Sequence, residues 1–143
     1  MSAPSSSKDW LAAHPPPDSA FVQSLAHVSS RIRAGEELGF AVRELLDELE
    51  LLPRPELIDR AIRQRPELTG WAPADAYLGA LAEHIAVMRG LERPAWAVEP
   101  ERFLERFWFK SAVPGFRALA VAQSPAAFRR RGIFIAEGAL QRV

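Results

Sequence analysis

The stretch PADAYLGALAEHIAVMRG, residues 73–90, decides the fold. Pro73 stands where a first-turn proline costs no hydrogen bond, and Gly90 stands where a helix is released through a left-handed residue. Between them Ala74, Tyr77, Leu78, Leu81, Ile85 and Met88 fall within one arc, so the spacing predicts a helix that serves as the central element of a core.

The segments before it repeat the pattern. Asp18 and Ser19 offer cap oxygens to a helix whose stripe is Phe21, Leu25, Val28 and Ile32, ending near Gly35. Leu38, Val42, Leu45, Leu46, Leu49 and Leu52 form the broad arc of a second helix, stopped by Pro53. Pro55 opens a short third helix with Leu57, Ile58, Ala61 and Ile62 inward, which ends before Pro66. Met1 to Pro17 is rich in serine and proline, a composition that favours extended or disordered chain, and Trp10 and Leu11 are its large apolar residues.

Beyond Gly90 the pattern weakens. Pro100 and Glu101 are expected to start a helix presenting Phe103, Leu104, Phe107 and Trp108 as an aromatic face. Val113-Pro114-Gly115 is a breaker, and Phe116 to Ala122 fits a short helix or a strand equally. Ser124 and Pro125 open a one- or two-turn helix through Arg130, closed by Gly132. Ile133-Phe134-Ile135 is β-branched and aromatic, which suits a strand paired with Ala118 to Ala122. The expectation is a mainly α protein: a disordered tail over residues 1–17, then a single helical domain over 18–143. That domain is a compact bundle of five or six helices with at most a small C-terminal β-hairpin.

Composition bounds the chemistry. The chain has 143 residues, 48% apolar and 25% charged, which suits one core. It has no cysteine, so disulfides, thiolate metal sites and cysteine nucleophiles are excluded. No stretch approaches the roughly 20 apolar residues of a membrane span, and the amino terminus lacks a basic-then-apolar signal pattern, so a cytoplasmic protein is expected. The 18 basic residues balance the 18 acidic ones, which disfavours a globally basic nucleic-acid binder. Locally the charge is uneven. Glu36 to Arg60 holds eight acids and three arginines, whereas Glu101 to Val143 holds eight basic residues and three acids. These poles face each other, are ordinary solvated surface, or form two docking surfaces.

The inventory of reactive groups is thin. The three histidines are dispersed, and Glu83-His84 on the central helix has no further ligand at the spacing of a helical metal site. No phosphate-binding glycine loop and no Gly-x-Ser-x-Gly elbow is present, and Ser124 before Pro125 reads as a cap. No catalytic residue, metal site or cofactor is therefore expected. An enzyme, which would need His84 with Glu83 or a nearby carboxylate, is the third class of function considered.

Two surfaces carry the other classes. Phe40, Glu44, Asp47 and Leu51 share the side of their helix opposite the leucine arc and mix apolar with acidic groups, as a face for a protein partner would. The alternative is a structural role, with Phe40 stapling the helix start and Leu51 in a fraying last turn. Arg129, Arg130 and Arg131 form the second surface. Three consecutive arginines cannot all point one way on a helix. At least one faces solvent or a nucleic-acid phosphate, while another reaches back to a carboxylate, with the acidic 36–59 region as a candidate partner.

The strings PERFLERFWF (residues 100–109) and QSPAAFRRRGIFI (residues 123–135) resemble those of a family of small uncharacterised helical proteins from GC-rich bacterial genomes. Members stand beside, or are fused behind, helix-turn-helix DNA-binding segments in settings like those of toxin–antitoxin pairs. The likeness runs from about Phe21 to the end, and its motifs carry no known chemistry, so no functional residues are carried over. The first 20 residues hold no helix-turn-helix pattern, so a DNA-binding domain is expected to be absent or on another chain. The expected function is a non-enzymatic interaction module that binds a partner protein through Phe40, Glu44, Asp47 and Leu51, and the resemblance implies a role that is antitoxin-like or accessory to a transcriptional regulator. A nucleic-acid-associated regulator using Arg129 to Arg131 is the alternative.

Overall fold

The computed structural model describes residues 23–51, 54–110, 123–135 and 140. The tail over 1–17, Asp18, Ser19, Phe21, the Pro53 stop and the 116–122 segment lie outside the described residues. Five α-helices are described: α1 (Leu25–Arg33), α2 (Leu38–Leu51), α3 (Pro55–Arg63), α4 (Ala72–Arg89) and α5 (Ala126–Arg130). Two 3-10 turns, Ala95–Val98 and Pro100–Arg102, follow α4, and strands β1 (Trp108–Phe109) and β2 (Ile133–Phe134) complete the order. The protein is mainly α. Among the described residues no helix is long and apolar enough to cross a membrane.

The described start of α1 is capped by Ser24, whose Oγ accepts the His27 N–H at 3.1 Å, one of the donors a helix start leaves unpaired. Both α1 and α4 end as their glycines require. Gly35 and Gly90 take φ of 108° and 66°, and the residue after each donates back to the carbonyl five positions earlier: Glu36 to Arg31 at 3.0 Å and Leu91 to Ala86 at 2.8 Å. An L side chain at either position would strain this closure.

Helix α4 is the central element, as its sequence implies. It is buried around most of its circumference, and α1, α3, α5, both 3-10 turns and β2 pack on it. Leu78, Leu81 and Ile85 are almost wholly excluded from water, each worth roughly 1.5–3 kcal/mol. Met88 departs from the expected arc: it is 57% exposed, one turn past the last packed layer.

The stripe Asp75, Gly79, Glu83 on α4 is polar in sequence yet buried, because it receives the 95–102 segment at close range. A Cβ on Gly79 would lie 2.9 Å from Arg102 Cβ and 3.1 Å from the Ala97 carbonyl oxygen. Gly79→Ala is therefore expected to destabilise the protein by about 1–2 kcal/mol. Overpacking, typically 1–3 kcal/mol, outweighs the helix-propensity gain of at most about 1 kcal/mol. A urea melt that finds Gly79→Ala more stable would contradict this packing.

Two expectations are corrected. The helix after Pro100 is only the turn Pro100–Arg102, and the chain then runs extended into β1. The Leu104 N–H, which an α-helix would turn toward Pro100, donates instead to the Arg131 carbonyl at 3.1 Å. A tertiary hydrogen bond thus displaces the local helical one. Ile133–Phe134 is a strand, but its partner is β1 in parallel register, Trp108 beside Ile133 and Phe109 beside Phe134, so the small sheet is not a hairpin. Trp108 N donates to Gly132 O at 2.8 Å and Lys110 N to Phe134 O at 3.1 Å.

Candidate functional site

An open groove of about 750 Å3 lies between two segments, residues 68–75 and 100–108. Leu68, Ala72 and Pro73 supply one wall, and Phe103, Leu104 and Trp108 the other. At its edge Phe107 is 76% exposed although its ring meets Phe134 edge-on at 5.3 Å. Trp71 stands beside the groove, 49% exposed, edge-on to Trp108 at 5.8 Å. Large apolar side chains concentrated on one exposed concave surface mark a recognition site more often than an ordinary solvated one.

Buried polar groups hold both walls. Asp75 accepts from Thr69 N at 2.7 Å and Thr69 Oγ1 at 2.9 Å, which folds the loop back onto the start of α4. Arg102, fully buried, donates from Nη2 to the Pro66 carbonyl at 2.7 Å and from Nη1 to the Asp75 carbonyl at 3.2 Å. Its guanidinium lies 4.9 Å from the Trp96 ring, and Glu99 Oε1 is 3.6 Å from its Nε. One side chain from the second wall therefore fastens the loop that makes the first.

The three arginines singled out in the sequence are divided. Arg131 is fully buried: Nη1 donates to Ala127 O at 2.8 Å, Nη2 to Ala97 O at 2.7 Å, and the Phe103 ring lies 4.8 Å from its guanidinium. It has no access to an external phosphate, so Arg131 drops out of the set Arg129, Arg130 and Arg131 considered for nucleic-acid contact, in keeping with the expectation that the three diverge. Arg130 is half exposed and reaches Glu83 Oε1 at 2.5 Å, while Arg129 is on the surface. The carboxylate that Arg130 and Arg131 reach is Glu83 on the central helix, not one in the acidic 36–59 region.

Glu83 is held by Arg130, by Arg93 at 3.1 Å and by Arg131 at 3.4 Å. Burial pushes its carboxyl up. The hydrogen bond from Arg131 and the charges of Arg131 and Arg130 outweigh this and hold it below the usual carboxylate range. His84 is half-buried with its ring 6.1 Å from Phe128, and burial lowers its pKa, favouring the neutral imidazole. The pair considered for an enzyme is thus a charge-locked carboxylate beside an aromatic-packed histidine. Among the described residues no group of three or more His, Asp or Glu is arranged to hold a metal ion.

Phe40, Glu44, Asp47 and Leu51 lie along the outer side of α2. Phe40 and Leu51 are 49% and 38% exposed. Glu44 is paired with Arg31 at 2.6 Å, and the same guanidinium stands 5.9 Å from the Phe40 ring. Arg31 also binds Glu36 at 2.6 Å, so α1 already covers part of this acidic face.

Comparison with protein-family models, with curated proteins and with solved structures finds no match to this chain.

The groove is absent from the sequence reading because its walls come from segments some thirty residues apart, joined by Arg102 and by the Trp71–Trp108 contact. The available signal is Trp71 directly after Gly70 in a loop, where a large indole has no periodic partner.

Proposed function

We propose that the chain is a non-enzymatic protein-interaction module whose principal docking surface is the groove between residues 68–75 and 100–108. The observation that supports this reading is the exposed Phe107 and Leu68 on an apolar groove whose walls are fixed from behind by Arg102 and Asp75. Preformed walls reduce the ordering cost of binding, and an exposed aromatic at the edge is the kind of anchor that dominates protein interfaces. The outer side of α2, with Phe40, Glu44, Asp47 and Leu51, is the smaller second surface. The resemblance of the strings at 100–109 and 123–135 extends the reading to an antitoxin-like or regulator-accessory role.

Affinity purification of the full chain from its native host tests this. A stoichiometric protein partner is expected with the parent protein and with Phe40→Asp/Leu51→Asp, and is expected to be lost with Leu68→Ser/Phe107→Ser. Both groove residues are exposed, so the serine pair should stay within about 1 kcal/mol of the parent in a urea melt. Loss that follows the α2 pair moves the docking surface there. Indifference to all four substitutions defeats the proposal.

A further inference from the structure

We infer that the groove's occupant is a peptide segment of another protein in which a large apolar side chain is flanked by lysine or arginine. This rests on the interaction-module reading and adds the partner's chemistry. The groove's lining carries Asp75, Glu101 and Glu105 against a single basic residue, Arg106. Glu101 and Glu105 are exposed, and among the described residues neither has an ion-pair partner. The acids that bracket the same loops are treated differently by the fold: Glu67 is paired with Arg33, and Glu99 with Arg65 at 2.9 Å. With Asp75 buried and bonded to Thr69, the exposed lining holds Glu101 and Glu105 against Arg106, an excess of negative charge beside an apolar trough that an incoming cation can meet. Low-dielectric walls strengthen such a field relative to open surface, and salt weakens it within a Debye length of about 10 Å at 0.1 M.

A peptide fits the site better than a compact solute does. The groove is open to solvent, and Phe107 in its lining is exposed, so it can pack on a chain lying across it. A second copy of the protein is the competing occupant, because Val87 and Met88 are exposed immediately before Arg89 at the end of α4. A head-to-tail contact of that kind propagates into rings or filaments, which separates it from the binding of a foreign segment.

The test uses the full chain and two fluorescein-labelled synthetic peptides. Both have a central Trp-Leu-Phe, flanked by lysines in one and by glutamates in the other. At low ionic strength the lysine peptide is expected to bind about tenfold more tightly, from a few-fold per exposed charge pair, and the difference should shrink as salt is added. Glu101→Lys/Glu105→Lys should reverse the order, and Phe107→Ser should weaken both peptides. Equal affinity for the two, binding of neither, or an unreversed preference in the double variant overturns the proposal. So does sedimentation showing self-association that disappears on Glu101→Lys/Glu105→Lys, since the occupant is then a second copy. If the peptides fail while a captured partner is still lost with Leu68→Ser/Phe107→Ser, the partner chemistry falls and the interaction-module reading stands.

Discussion

Glu83→Ala is expected to lower the stability of the protein by roughly 3–5 kcal/mol, because it strands the fully buried Arg131 guanidinium without a counter-charge. Arg131 keeps its bonds to Ala127 O and Ala97 O, but two carbonyl dipoles do not neutralise a cation held away from water. The double variant Glu83→Leu/Arg131→Met should recover much of the loss, since a buried pair replaced by apolar side chains of similar volume is often neutral or better. Urea melts of Glu83→Leu, Arg131→Met and the double variant close the cycle. Additive losses would show that the pair is not coupled.

The same pair sets a pH dependence. The Glu83 carboxyl is held below its unfolded value of about 4.3. Its contribution is therefore complete above about pH 4.3 and is lost as the pH falls through the lower folded value. Glu83→Gln removes this titration, so its stability should fall less steeply than the parent's on the acid side. Parallel acid limbs for the two proteins would contradict it.

Arg102→Ala is expected to cost roughly 3–4 kcal/mol. It removes donors from the buried Pro66 and Asp75 carbonyls, takes the guanidinium from the Trp96 face, and opens a cavity where a long side chain packs. Arg102→Lys should recover only part of this, because an ammonium on a flexible stem does not span two carbonyls as a planar fork does. The consequence for binding is separable from that for stability. In Arg102→Lys, measured well below its melting temperature, the loop carrying Leu68 loses its fastening to the opposite wall. Peptide affinity should therefore drop several-fold while the far-ultraviolet spectrum is kept. An unchanged affinity would show that the loop is fixed by Asp75 and Thr69 alone.

Which parts of this molecule can be read from its sequence follows from the range of the forces involved. Helix α4 is legible because its start, its arc and its release are all local: Pro73, the Leu78–Leu81–Ile85 spacing and Gly90 act within a few turns. Helix α3 is legible for the same reason. The segment after Pro100 has equally helical spacing in Phe103, Leu104, Phe107 and Trp108, yet it is extended. The Arg131 carbonyl claims the Leu104 N–H, and the Arg102 guanidinium is drawn between Pro66 and Asp75. Both demands originate about thirty residues away. Ile133–Phe134 carries strand propensity in its own residues, whereas its partner does not announce itself, because Trp108 also completes the helical stripe of Phe103, Leu104 and Phe107. Arg102 and Arg131 mislead most directly: charge normally signals surface, and the neighbours that make burial tolerable, Glu83 and six backbone or aromatic groups, are scattered along the chain. The groove inherits this illegibility, since its walls are joined by Arg102 and by the Trp71–Trp108 contact, both of which span about thirty residues or more.

Of the four tryptophans, the three among the described residues divide the optical signals between them. Trp96 is enclosed, its indole N–H donating to the Ile62 carbonyl at 2.9 Å, so its emission follows the melting of the helical core. Trp108 forms part of the groove and Trp71 stands half exposed beside it, so a quencher such as iodide reaches Trp71 in the folded state and spares Trp96. An occupant that shields Trp71 without shifting the Trp96 band registers in unlabelled protein, separating recognition from unfolding in one cuvette.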